Sequence, residues 1–129
     1  MIDHVTIPVT DYDRSKAFYL AALAPLGYKL CMEFSREQIP SLPIPRTCGI
    51  GPGGKPVLWL RPSTQVAPIH LAFTAPDRAA VNAFHATALA AGAPDNGAPG
   101  PRPHYHPGYY GAFALDPDGH NIEAVNHKA

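Results

Sequence analysis

The sequence has little sulfur, little charge and no long apolar run. Its only cysteines are Cys31 and Cys48. Two cysteines in no close pairing read as free thiols, which excludes a disulfide-stapled secreted domain and points to a reducing compartment, the cytoplasm. Charged residues make up 16% of the chain and cancel to a formal net charge of zero. No basic patch or polybasic run speaks for nucleic acid or for an anionic membrane surface. No apolar stretch approaches the roughly 18 residues of a membrane-spanning helix. Met1-Ile2-Asp3-His4 lacks the basic start and apolar run of a secretory leader, so none is expected. What is abundant is apolar residues (46%), seven histidines and 16 prolines. The 129 residues suit one compact domain or two fused half-domains. The prolines cluster at 40–68 and 94–107, which marks those stretches as loop-rich.

The chain repeats itself. Residues 4–26 lie over residues 70–92 without a gap, matching His4 to His70, Asp11 to Asp77, Phe18 to Phe84 and Leu23 to Leu89. Each copy opens with an apolar run, in which Val5, Ile7 and Val9 alternate with His4, Thr6 and Pro8 as a strand requires. A helix follows each run. Thr10 or Asp11 caps the first, and Pro76-Asp77 opens the second. Phe18, Ala21, Ala22 and Leu26, and in the second copy Val81, Phe84, Ala88 and Ala91, form core-facing stripes. Gly27 and Gly92 stop the helices. Further strands are expected near 28–34, 47–50, 93–97 and 109–115. Each half ends in a Pro-x-Gly turn leading into a short apolar strand, an alignment that sets Leu58 over Glu123. The expected architecture is α+β, one domain over 1–129 with two tandem βαβββ modules of about 1–63 and 67–127.

That repeat carries chemistry. Neighbours on a strand face opposite sides, so His4 with Thr6, and His70 with Ala72, turn away from their apolar neighbours. Glu123 points away from Ile122 and Ala124. If the halves curve around a shared cleft, two imidazoles and one carboxylate converge there. That donor set suits one divalent ion, Zn, Fe, Mn or Ni, and leaves positions open for substrate, water or dioxygen. Leu58 cannot ligate, so three protein ligands are expected rather than four. Trp59, on the face opposite Leu58, is expected to pack against a helix. Tyr19 and His85 occupy equivalent helix positions and read as packing residues, while His120 and His127 read as exposed.

His4-Val5-Thr6-Ile7-Pro8-Val9, the helix segment Ser15-Lys16-Ala17-Phe18-Tyr19, His70 and Asp116-Pro117-Asp118-Gly119-His120-Asn121-Ile122-Glu123 together resemble the vicinal oxygen chelate superfamily. That group includes glyoxalase I, extradiol dioxygenases, fosfomycin-resistance enzymes and bleomycin-resistance proteins. The resemblance spans essentially the whole chain and implies paired βαβββ modules that form a cupped mixed β-sheet with helices outside. It implies His4, His70 and Glu123 as ligands of a divalent metal that chelates two adjacent substrate oxygens. It also implies a homodimer, with the cup closed within one chain or by exchange between two. In the exchanged case His4 comes from one subunit and His70 with Glu123 from the other. The residue at Leu58 departs from glyoxalase I, which usually has a glutamate there.

The stretch Pro99 to Tyr110 is stiffened by prolines and carries Arg102, His104, His106 and three tyrosines. Arg102 suits a substrate carboxylate. His106 suits a general base, because imidazole titrates near neutrality. Tyr105, Tyr109 and Tyr110 suit hydrogen bonds to a substrate oxygen or an aromatic slot, with Tyr110 placed beside His106 in the chemistry. The bland alternative is a surface loop. Three functions are therefore open: a metal-dependent lyase, isomerase, transferase or dioxygenase acting on a small oxygen-rich molecule; a metal-independent drug-binding protein; or a structural domain.

Overall fold

The computed structural model describes residues 1–128. The elements run β1 (Val5–Val9), α1 (Tyr12–Ala22), a 3-10 turn (Ala24–Leu26), β2 (Tyr28–Ser35), β3 (Arg46–Pro52) and β4 (Leu58–Pro62). The order then repeats as β5 (His70–Thr74), α2 (Arg78–Ala90), β6 (Asp95–Pro101), β7 (Tyr110–Leu115) and β8 (Asn121–Asn126). Two four-stranded sheets result, ordered β1-β4-β3-β2 and β5-β8-β7-β6. In each, the first and last strands of the module pair in parallel and the rest are antiparallel. The α+β class and the two βαβββ modules expected from the repeat are both present.

Local sequence explains each element. Ile7 and Val9 are fully buried while Thr6 is exposed, so β1 lays one face on the core. Burial of such a side chain stabilises by about 1.5–3 kcal/mol. Asp11 caps α1 by accepting from the Arg14 amide at 3.1 Å, and Asp77 caps α2 by accepting from the Ala80 amide at 2.8 Å. Phe18, Ala22, Leu26, Val81, Phe84 and Ala88 are buried as their spacing predicts. Ala91 leaves the stripe, because it is the exposed C-cap of α2. Pro99 and Pro101 were expected in a loop and instead lie in β6. An edge strand tolerates proline because its outer amides need no partner, and β6, like the Pro8-bearing β1, is an edge.

The modules meet through their helices: α2 touches α1 and the 3-10 turn, and Tyr28 packs edge-on against Phe73 at 5.6 Å. Polar groups from the turn between β7 and β8 lock the joint. The buried Asp116 carboxylate accepts from the amides of Asp118 and His120 and, at 2.5 Å, from the Tyr19 hydroxyl. Asp118 accepts from the Thr10 amide and hydroxyl. His120 was expected to be exposed and is fully buried. Its Nε2–H donates to the Pro8 carbonyl at 3.0 Å, and its Nδ1 accepts from the Ile69 amide at 3.0 Å. The Asp-Pro-Asp-Gly turn thus joins the halves. Among the described residues no strand pairs one sheet with the other, so each sheet keeps one open face and two edges, β1 and β2 in the first and β5 and β6 in the second.

Candidate functional site

Strand register places the side chains. In the second sheet Ala72 stands opposite Glu123, and Glu123 opposite Phe113. Paired residues share a face. His70, Ala72, Glu123, Val125, Gly111 and Phe113 therefore line the open face, while Ile122, Ala124, Ala112 and Ala114 face α2 and are fully buried.

Glu123 is the centre of this face. Its side chain is 2% exposed, whereas that of His70 is 50% exposed. Glu123 Oε2 lies 2.9 Å from His70 Nε2, and Oε1 accepts from the Tyr109 hydroxyl. A buried carboxylate costs several kcal/mol unless it is paired or hydrogen-bonded, and here both oxygens are engaged. Burial, and then the hydrogen bond to Glu123, push the Tyr109 phenol above its usual range, so it remains a donor. Gly111 makes this possible. A Cβ there would fall 3.1 Å from Glu123 Oε1 and 3.2 Å from the Tyr109 ring.

The first sheet corrects the repeat alignment. Thr6, equivalent to Ala72, stands opposite Trp59 rather than Leu58. Trp59 is therefore the counterpart of Glu123, and the fully buried Leu58 is the counterpart of Ile122. Trp59 does not pack on a helix as expected. It lies on the open face, stacked on Phe34 with ring centroids 6.2 Å apart and planes 10° apart. Gly49 leaves it room, since a Cβ there would come within 2.9 Å of the indole. Trp59 cannot ligate a metal, so the first half offers no ligand at the position that Glu123 holds in the second.

The remaining expected residues scatter. His4 is exposed at the start of the first sheet, its Nδ1 2.6 Å from the Asp3 carboxylate. Among the described residues no three His, Cys, Asp or Glu side chains gather as a metal site. One chain thus brings His70 and Glu123 together without His4. Their imidazole and carboxylate fit a divalent cation chemically but supply two ligands. Arg102 lies over the Phe113 ring at 5.5 Å, and its guanidinium donates to the Ala98 and Gly100 carbonyls. Tyr105 is exposed and meets Tyr109 edge-on at 4.9 Å. Both ring nitrogens of His106 are engaged, with Pro107 O and His127. Tyr110 is not brought to this face. It shares the helix side with Asn126, donates to Asn82 at 2.7 Å and lies under Arg78. Strand alternation turns Tyr110 away once Gly111 faces Glu123. Phe113 and His127 were missed. Phe113 was legible from its parity with Gly111, while His127 had no signal beyond being two-step neighbour to Val125. Cavities of about 480 Å³, beside Arg14 and Asp116, and about 780 Å³, beside Lys16 and Arg36, lie away from Glu123.

Two βαβββ modules with an imidazole–carboxylate pair on an open sheet face define a class of paired-module proteins, and comparison with known proteins agrees. The family model of the Glyoxalase/Bleomycin resistance protein/Dioxygenase superfamily matches residues 1–124, and the chain belongs to that superfamily. Among solved structures, a glyoxalase/bleomycin resistance protein from Albidiferax ferrireducens is 27% identical, with a TM-score of 0.72 over 95% of each chain. A glyoxalase/bleomycin resistance protein/dioxygenase family enzyme from Burkholderia phytofirmans is 24% identical, with a TM-score of 0.69 over 98% of each chain. Glyoxalase I from Zea mays is 22% identical, with a TM-score of 0.73 over 99% of this chain and 45% of that one. No curated protein matches the sequence significantly. Among the described residues no helix is long and apolar enough to cross a membrane.

Proposed function

We propose that this protein is a divalent-metal-dependent enzyme of the glyoxalase or dioxygenase type, acting as a lyase or dioxygenase on a small substrate that chelates the metal through adjacent oxygens. The observation that carries this reading is the His70–Glu123 pair, a carboxylate 2% exposed meeting a half-exposed imidazole on an open face. Both oxygens of that carboxylate are held, one beside the His70 imidazole and one by the Tyr109 hydroxyl, and an imidazole with a hydrogen-bonded carboxylate is a donor set that a divalent cation suits. The third ligand is His4 of a second copy. Support comes from the separation of the sheets, from the helix-mediated joint that keeps β1 and β5 as free edges, and from the exposure of His4. Free edges invite pairing, so a homodimer that sets one copy's first module beside the other's second module completes the ligand set. Arg102 and Tyr105 border the same face and serve substrate binding; Tyr109 holds the ligand carboxylate. The free thiols of Cys31 and Cys48 suit the cytoplasm.

Elemental analysis of purified protein should find about one Zn, Fe, Mn or Ni per chain. The Glu123→Ala variant should lose that ion together with any activity. Full metal content in the variant would remove Glu123 from the ligand set. A second reading has its own observation. The Trp59–Phe34 stack and the Tyr105–Tyr109 pair give both open faces aromatic surface suited to a metal-independent, drug-binding protein of the bleomycin-resistance type. Calorimetric binding of an aromatic glycopeptide drug that persists in excess chelator would favour that reading over the first.

A further inference from the structure

His127 and His106 form a hydrogen-bonded pair beside Tyr109 that the metal reading does not use. His106 Nδ1 lies 2.7 Å from the Pro107 carbonyl oxygen. A carbonyl only accepts, so that nitrogen carries the hydrogen. His106 Nε2 lies 2.9 Å from His127 Nδ1. The ring centroids lie 5.1 Å apart, the separation of two imidazoles joined end to end through those nitrogens. Neutral imidazole has one hydrogen, and that of His106 is already on Nδ1. The bridging hydrogen therefore belongs to His127 Nδ1, and His127 Nε2 is left as a bare lone pair. Imidazole in water prefers the opposite tautomer, so the Pro107 carbonyl imposes the minor form on both rings.

The pair borders the site. The Tyr109 ring stands edge-on to His106 at 5.3 Å and to His127 at 5.2 Å, while its hydroxyl donates to Glu123. One phenol ring thus separates the imidazoles from the Glu123 carboxylate. His127 is exposed, so its Nε2 is open to a bound molecule, whereas His106 has no free lone pair.

We propose that His127 is the proton acceptor of this site and that His106 is a positioning residue that dictates its tautomer. The proposal rests on the metal-site reading above for the identity of the substrate. A substrate O–H, or a C–H next to a carbonyl, gives its proton to His127 Nε2, and the electron pair of the broken bond stays on the substrate oxygen or carbon. The bridging proton passes from His127 Nδ1 to His106 Nε2. The positive charge ends on His106, whose Nδ1–H keeps the Pro107 carbonyl. This arrangement reassigns the base expected at His106 to its neighbour and keeps His106 one bond behind it.

Two readouts test this, and the first needs neither metal nor substrate. Long-range ¹H–¹⁵N correlation of ¹⁵N-histidine-labelled protein near pH 9, above the usual imidazole range, should show His127 protonated on Nδ1. The His106→Phe variant should return it to the Nε2–H form, and His106→Gln, whose amide oxygen still accepts, should retain the Nδ1–H form. An Nε2–H tautomer of His127 in the unaltered protein overturns the proposal, as does an unchanged tautomer in His106→Phe. Should His106→Phe not fold, His106→Ala replaces it. Second, acylation of His127 by diethyl pyrocarbonate, mapped by mass spectrometry, should run several-fold faster in the unaltered protein than in His106→Phe. It should also be slowed by Zn²⁺ with acetohydroxamate, a bidentate oxygen chelator. An unchanged rate while zinc is shown to be bound overturns the role at the site. Loss of zinc binding itself would instead count against the metal reading, leaving the tautomer result standing on its own.

Discussion

The open faces of the two sheets are built on one plan and furnished in opposite ways. Trp59 and Glu123 occupy the same position on the last strand of their modules, opposite Thr6 and Ala72. The first carries an indole stacked on Phe34, the second a buried carboxylate held by His70 and Tyr109. The duplication kept the packed faces, Ile7 and Val9 with Leu58 and Leu60, and Phe73 with Ile122 and Ala124. The packed face of a repeat is constrained by the core, whereas the open face is free to specialise.

Metal binding divides the labour between the faces. His4→Ala and Glu123→Ala chains should each bind little metal. Mixed at random as dimers, they should recover about a quarter of the wild-type metal, because each mixed dimer regains one intact site of two. A site closed within one chain recovers none, and a His4→Ala chain that keeps its metal removes the first face from the chemistry. Next is the contrast between the two Gly-containing turns. His120→Ala should cost about 3 kcal/mol in denaturant unfolding, from a cavity and two orphaned backbone groups. Lys55→Ala, in the exposed turn of the first half, should leave the midpoint unchanged. Tyr19→Phe, which takes one donor from the buried Asp116, should cost about 1–3 kcal/mol.

Trp59→Leu should lose the stack, about 0.5–1.5 kcal/mol beyond area burial, with metal content untouched. The smallest effect is on acid stability. Lys16, and then the Tyr12 hydroxyl, hold the Glu33 carboxyl below its usual range. Its folded value is depressed, so its contribution is present above the unfolded value of about 4.3 and is lost as pH falls through the folded one. Lys16→Met should flatten that acid limb of a stability–pH curve.

The strand–helix opening of each half was legible because His4 over His70 and Phe18 over Phe84 share one ungapped register with the caps Asp11 and Asp77. The last strands were misaligned by one because the Pro-x-Gly turns look alike while the paired strands fix a different register, and one step exchanges the faces. That step also misplaced Trp59. Tyr110 was grouped with Tyr109 by composition, yet alternation sends them to opposite sides. The burial of His120 was hidden because its partners, Pro8 O and the Ile69 amide, are backbone groups distant in sequence. The local pair of His70 with Glu123 was legible; the absence of His4 from it was not, because strand patterns say nothing of how two sheets are set beside one another.

The joint between the halves has a direction. Asp116, Asp118 and His120 of the second half reach Tyr19, Thr10 and Pro8 of the first, and among the described residues no matching set runs back from the first half's turn. Severed between the modules, the chain would therefore behave as a plug and a socket. The C-terminal fragment should reassociate with the N-terminal one, while two identical fragments lack either the plug or the socket. A tandem copy of either half alone would inherit the strands of this fold without the means to fasten them.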